Sequence, residues 1–182
     1  ASTFVACGDD DDDSKGGQLS NMERYQQEVD ATVKSQKKND KAILVVAFGS
    51  TWQQAYDAFD LTVEEYKKEF PGYDVYLSFS SAICINRAMA GEHVKPRNFY
   101  EPKYWLEAFG RVQYKEIIVQ SMQVIPGEEY TRVINAMKDF ANNSNGDLDD
   151  KYLSTMTLKL GYPLMAEYPS DVNKLAKALN DN

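Results

Sequence analysis

Lys41 to Phe48 reads Lys-Ala-Ile-Leu-Val-Val-Ala-Phe, with no polar position after the lysine. A strand covered on one face alternates apolar and polar side chains, whereas one covered on both faces does not. This run therefore predicts a strand inside a parallel sheet. Gly49-Ser50-Thr51 ends it. Trp52, Ala55, Tyr56, Phe59, Val63, Tyr66 and Phe70 then recur at three- and four-residue spacing, which predicts an amphipathic helix stopped by Pro71-Gly72. Trp52 and the tyrosine-rich faces are read as core rather than as a cofactor box.

The same alternation of patterns continues. Tyr73 to Phe79 predicts a second strand, and Ser80-Ser81 can cap a short helix from Ala82 to about Ala90. Gly91 to Pro102 is an irregular excursion carrying His93, Lys95 and Arg97, flanked by Arg87 and Lys103. A helical turn or two follows, from Tyr104 to Phe109, closed by Gly110. Glu116 to Val124 predicts a third strand that runs straight through Pro126-Gly127 into a helix reaching about Phe140. A polar loop, Asn142 to Asp150, precedes a fourth strand at Tyr152 to Leu160. Gly161-Tyr162-Pro163 breaks that strand, and Ser170 is expected to cap a last helix reaching Leu179. Ahead of all this, Ser20-Asn21-Met22-Glu23 matches a capping box, with a thinly apolar helix to about Lys38.

Four strand–helix units predict an α/β fold: a four-stranded parallel sheet with helices on both faces, plus an extra N-terminal helix. The expected organisation is a tether over residues 1–20, an accessory helix over 21–40 and an α/β domain over 41–182. In such sheets ligands bind outside the carboxyl ends of the strands. Gly49-Ser50-Thr51, Ser80-Ser81 and Pro126-Gly127-Glu128-Glu129 all fall at that edge.

Composition adds to this. With 182 residues, 43% of them hydrophobic, the chain can bury one substantial core. The net charge of -8 is uneven: residues 1–40 hold nine acids and five bases, and residues 41–182 nineteen acids and fifteen bases. No basic stripe tracks phosphates, so nucleic acid is not an expected partner. No apolar run approaches the about 18 residues of a membrane-spanning helix. Cys84 sits among apolar residues and reads as a small buried hydrophobe. Cys7 differs: it follows Phe4-Val5-Ala6 and precedes Gly8 and five aspartates. That resembles the lipidation site of a bacterial lipoprotein, which implies export to the periplasm or cell surface and a membrane link through a lipid anchor only. An ordinary solvated acidic tail is the other reading.

Several chemistries lack their motifs. No GxGxxG follows the first strand and no GxxxxGK[ST] occurs, so no nucleotide or ATP site is expected. CxxC and HExxH zinc patterns are missing, and the one histidine, with no nucleophile elbow around Ser50, argues against a serine hydrolase. Glu128 and Glu129 open a helix, where unpaired N–H groups stabilise anions.

Lys41 to Thr51 (KAILVVAFGST), Leu77 to Ile85 (LSFSSAICI), Ile118 to Tyr130 (IVQSMQVIPGEEY) and Leu158 to Leu164 (LKLGYPL) resemble, in colinear order, the anaerobic sirohydrochlorin cobalt chelatases of CbiK type, relatives of ferrochelatase. The resemblance implies ATP-independent insertion of a divalent metal, cobalt(II) with iron or nickel as alternatives, into a tetrapyrrole. By motif position it makes Glu129 the catalytic and metal-binding carboxylate. Ser50, Thr51, Ser80, Ser81 and Gln123 would line the tetrapyrrole cleft, and Arg87 is a candidate for the substrate's carboxylates. Family chelatases are built of two similar halves, of which the matching segments form one. Gln123 stands where related sequences often carry His, a weaker ligand for cobalt. Two chains pairing to rebuild the cleft is one consequence. The alternative function is a non-catalytic tetrapyrrole, haem or metal binding lipoprotein on the same scaffold. His93 is either a plain loop residue or an axial ligand to a tetrapyrrole metal.

Overall fold

The computed structural model describes residues 19–167 and 169–180. The predicted tether through residue 18, with Cys7, lies outside the described residues. Helix α1 (Asn21–Gln36) precedes β1 (Lys41–Ala47), α2 (Gln53–Glu69), β2 (Asp74–Phe79), α3 (Ala82–Met89) and α4 (Pro102–Arg111). Then come β3 (Glu116–Ser121), α5 (Glu128–Ala141), α6 (Asp150–Thr155), β4 (Thr157–Gly161) and α7 (Ser170–Asn180). The strands form one sheet in the order β2-β1-β3-β4. All pairings are parallel, with Val46 facing Ser78 on one side and Ser121 on the other.

The apolar run of β1 is buried from Ala42 to Ala47, as expected of a central strand covered on both faces. On one face, Ala42, Leu44, Val46, Ile117 and Val119 pack against α1, α4 and α5 through Val29, Val33, Leu106, Phe109, Val133 and Phe140. On the other, Ile43, Val45 and Val75 meet Val63 and Tyr66 of α2. Helix α1 has the predicted capping box, Ser20 Oγ accepting from Glu23 N–H at 3.2 Å. It is more than an edge accessory, because Val29 and Val33 are fully buried in the main core.

At the amino-terminal edge of the sheet, Asp74 organises a polar knot. Its Oδ2 accepts from the N–H groups of Lys38 (2.9 Å) and Asn39 (3.1 Å) and from Tyr114 Oη (2.6 Å), while Oδ1 accepts from Asn39 Nδ2 (2.9 Å). Tyr114 Oη lies 2.8 Å from Tyr76 Oη. Burial pushes the Asp74 carboxyl upward, but these donors outweigh it and hold it below the usual range. Burial pushes the Tyr76 phenol up to about 12.

Four expectations are corrected. The fourth strand begins at Thr157, because Asp149 caps a helix across Asp150–Thr155, accepting from Lys151 N–H at 2.8 Å. Tyr152 then points inward to donate to Tyr114 O at 2.7 Å. Strand β3 ends at Ser121, and residues 122–127 form a loop before α5. That loop is bonded sideways, Leu164 N–H to Gln123 O at 3.1 Å and Met165 N–H to Val124 O at 2.8 Å. Trp52 is not core: it is the residue before α2 and is 55% exposed. Ser170 is the first residue of α7 rather than its cap.

Candidate functional site

Where the connections after two neighbouring parallel strands diverge, the strand ends part and leave a crevice. In this sheet that point lies between β1 and β3, since the chain leaves β1 toward β2 and leaves β3 toward β4. A cleft of about 460 Å³ opens there, walled by Phe48 after β1 and by residues 122–125 and 127–130 after β3. Phe48, Val124 and Ile125 are half or more exposed, so much of the wall is apolar.

Gly49 makes the exit from β1 possible. Its φ is +121°, and a Cβ there would lie 2.7 Å from Cys84 Cβ and 2.9 Å from the Phe79 ring, which only glycine avoids. The loop beyond is held by its hydroxyls. Ser50 Oγ accepts from Trp52 N–H at 3.2 Å, and Ser81 Oγ accepts from Cys84 N–H at 3.4 Å to cap α3. Buried Thr51 has its Oγ1 2.9 Å from His93 Nδ1.

At the end of β3, Ser121 Oγ donates to Gln123 Oε1 at 2.5 Å and accepts from Gln123 N–H at 3.1 Å. Gln123 Nε2 then donates to the buried Ser80 Oγ at 3.2 Å. Directly after Gln123, the Val124-Ile125-Pro126-Gly127 turn delivers the chain into α5, whose first turn carries Glu128 and Glu129. Gly127, at the cap position, makes no side-chain bond to the helix start. Glu128 is exposed beside the helix dipole. Glu129 points inward: Oε2 is buried with no hydrogen-bond partner, and Oε1 is 3.8 Å from Arg132 Nε. That separation is beyond hydrogen-bond reach. A buried carboxylate oxygen left unpaired costs about 1–3 kcal/mol, which a cation or a proton would relieve.

His93 is fixed from three sides. Its backbone adopts φ +67°, its ring stacks on Trp52 at 4.1 Å between centroids, and Nδ1 faces Thr51 with Glu92 Oε1 3.7 Å away. An axial bond from this ring would therefore use Nε2. Arg87 is engaged with Glu92 at 3.4 Å and does not line the cleft. Of the residues marked in the sequence, Glu129 and Gln123 line the cleft and Ser80 joins it through Gln123. Ser50, Thr51, Ser81 and His93 shape the neighbouring loops. The apolar wall of Phe48, Val124 and Ile125 was not anticipated, although apolar residues set against a Pro-Gly break were its visible signal. Nor was Arg132, one helical turn beyond Glu129. Among the described residues no group of three or more His, Cys, Asp or Glu side chains could hold a metal ion.

An open parallel sheet with a crevice at its switch point, an apolar wall and one orphaned carboxylate defines a strand-end binding protein. The family described as cobalt chelatase (CbiK) matches residues 41–182, and the chain belongs to that family. It is 30% identical over 141 residues to the sirohydrochlorin cobaltochelatase CbiKC of Nitratidesulfovibrio vulgaris. That match covers 76% of this chain and 44% of the relative, so the chain spans less than half the length of the curated relative it matches.

Proposed function

We propose that this chain inserts cobalt(II), with iron or nickel as lesser substrates, into sirohydrochlorin or a close tetrapyrrole without ATP. The observation that carries this is the buried, unpartnered Oε2 of Glu129 in the cleft between the ends of β1 and β3. The macrocycle lies on the apolar wall of Phe48, Val124 and Ile125. Glu129 holds the incoming metal at the ring centre and takes a pyrrole proton as the metal–nitrogen bonds form. Two N–H protons leave in all, and they pass to water. Gln123, anchored by Ser80 and Ser121, faces the macrocycle beside Glu129. Ser50, Thr51 and Ser81 keep the bordering loops in place, and His93 Nε2 is the available axial imidazole.

A second copy of the chain supplies the facing wall. The exposed apolar residues around the strand ends, Tyr162 (77%) and Leu164 (60%) among them, favour such pairing. Acylation of Cys7 and export are part of the same proposal, resting on the sequence around that cysteine; no helix among the described residues is long and apolar enough to cross a membrane.

The test is metal-free sirohydrochlorin mixed with cobalt(II) and protein, followed by absorption. Turnover above the protein-free rate supports the enzyme. Tight tetrapyrrole binding with no insertion would leave a non-catalytic binding protein on the same scaffold, and no binding at all removes the tetrapyrrole.

A further inference from the structure

A second cleft, of about 220 Å³, lies beside the first between the start of α4 and the middle of α5. Ser80, Lys103, Arg132 and Val133 are among its lining residues, with the acids Glu101 and Asp139. Ser80 connects the two clefts, because the same hydroxyl accepts from Gln123 of the first. Lys103 has a nearby acid of its own, Glu101 Oε2 at 3.3 Å. Among the described residues Arg132 has only the 3.8 Å approach to Glu129, with its side chain 60% exposed. A contact of that length and exposure binds weakly. Arg132 thus sits between the orphaned carboxylate and the second cleft, with most of its five donors uncommitted.

We propose that Arg132 is a carboxylate clamp for the substrate: it exchanges Glu129 for a peripheral carboxylate of a polycarboxylate tetrapyrrole whose edge enters the second cleft. Lys103 and the Ser80 hydroxyl complete that subsite. The exchange couples two events. A carboxylate arriving at Arg132 forms a bidentate pair that Glu129 does not form, and Glu129 is released to the metal. Glu101 and Asp139 bound the subsite, so it admits one carboxylate between them and disfavours a crowd of negative charge. The role falls to Arg132 rather than Arg87, whose guanidinium is already engaged by Glu92.

This inference rests on the tetrapyrrole reading above, and the two fail separately. The probes are metal-free uroporphyrin, with eight carboxylates, and metal-free etioporphyrin, with none, each titrated into the protein by fluorescence quenching. Arg132→Gln should weaken uroporphyrin about tenfold or more and etioporphyrin less than about threefold, with Arg132→Lys between. The melting temperature should not move, since the residue is largely exposed. Equal losses on both probes, or no loss on uroporphyrin, overturn the clamp while leaving tetrapyrrole binding intact. Failure of the wild-type chain to bind either probe overturns the tetrapyrrole reading and the clamp with it.

Discussion

The amide nitrogen of Gln123 reaches the hydroxyl of Ser80 at 3.2 Å, joining the end of β3 to the end of β2 across the intervening β1. Both partners are otherwise held, Gln123 by Ser121 and Ser80 by its N–H bond to Ala47 O at 2.9 Å. The cleft floor is therefore cross-braced beside the Glu129 carboxylate. A neutral amide in this position braces well and ligates poorly, and cobalt(II) prefers imidazole. Gln123→His should raise cobalt(II) affinity about tenfold or more, read by calorimetry or by the visible absorption of the bound ion. An unchanged affinity would show that position 123 does not face the metal.

Gly49 gives a stability prediction confined to the loop that carries Ser50 and Thr51. Alanine there meets both the positive φ and the 2.7 Å approach to Cys84 Cβ, so Gly49→Ala should cost about 2–4 kcal/mol in urea unfolding. Gly127→Ala is the control. Its Cβ would enter open space, and the cost should stay at or below about 1 kcal/mol. Similar losses at the two positions would contradict the close packing of β1's exit on α3.

The stacking of His93 on Trp52 leads to an optical prediction. With Nδ1 turned to Thr51, Nε2 is the atom left for a metal. Titration with haemin should give a histidine-ligated spectrum for the wild type and lose it in His93→Ala. The substitution should also change Trp52 emission, because the ring stacked on it is removed. Identical haemin spectra would take His93 out of ligand duty, whatever happens to the fluorescence.

Asp74 allows the fold to be probed far from the cleft, at the opposite edge of the sheet. Asn at this site would turn an amide N–H toward three donors, so Asp74→Asn should lose about 2–3 kcal/mol, or about 4–12 °C in melting temperature. The sign of the pH effect follows from the lowered carboxyl. Its stabilisation is fully present above the ordinary value of 3.8 and is lost as pH falls through the lower folded value. Wild-type stability should drop across that acid range more steeply than that of Asp74→Asn. Parallel pH profiles would mean that the knot is held by geometry rather than charge.

How far the sequence reached depended on the range of each interaction. Six consecutive buried positions in β1 and the three- and four-residue spacing of α2 are local patterns, and both elements were legible. Helix α6 was not, because Tyr152 and Thr155 favour strands by propensity, while a capping Asp149 and the distant Tyr114 carbonyl decide otherwise. Glu129 could be marked from its motif and its place after a Pro-Gly break. Its orphaned oxygen could not, since the burial of a single atom follows from the folded loop around it and not from the local pattern. Trp52 was misassigned for a related reason: the helical period places it on the apolar face, but it precedes the helix and finds His93 instead, 41 positions away.

Glu129 itself carries the final prediction, and it separates chemistry from stability. Replacing it with Gln keeps the shape of the side chain but removes the charge and the proton-accepting oxygen. Insertion of cobalt(II) should fall about a hundredfold or more, while the dissociation constant for the metal-free tetrapyrrole stays within about threefold. Stability should move in the opposite direction. A buried carboxylate oxygen with no partner is unfavourable in the folded protein, and the nearest cation is 3.8 Å away, so the neutral variant should unfold at an equal or higher urea concentration. Lost activity together with unchanged or gained stability is the signature of a residue kept for its reaction. A variant that loses both would place Glu129 among the structural acids, and one that loses neither would move the metal elsewhere.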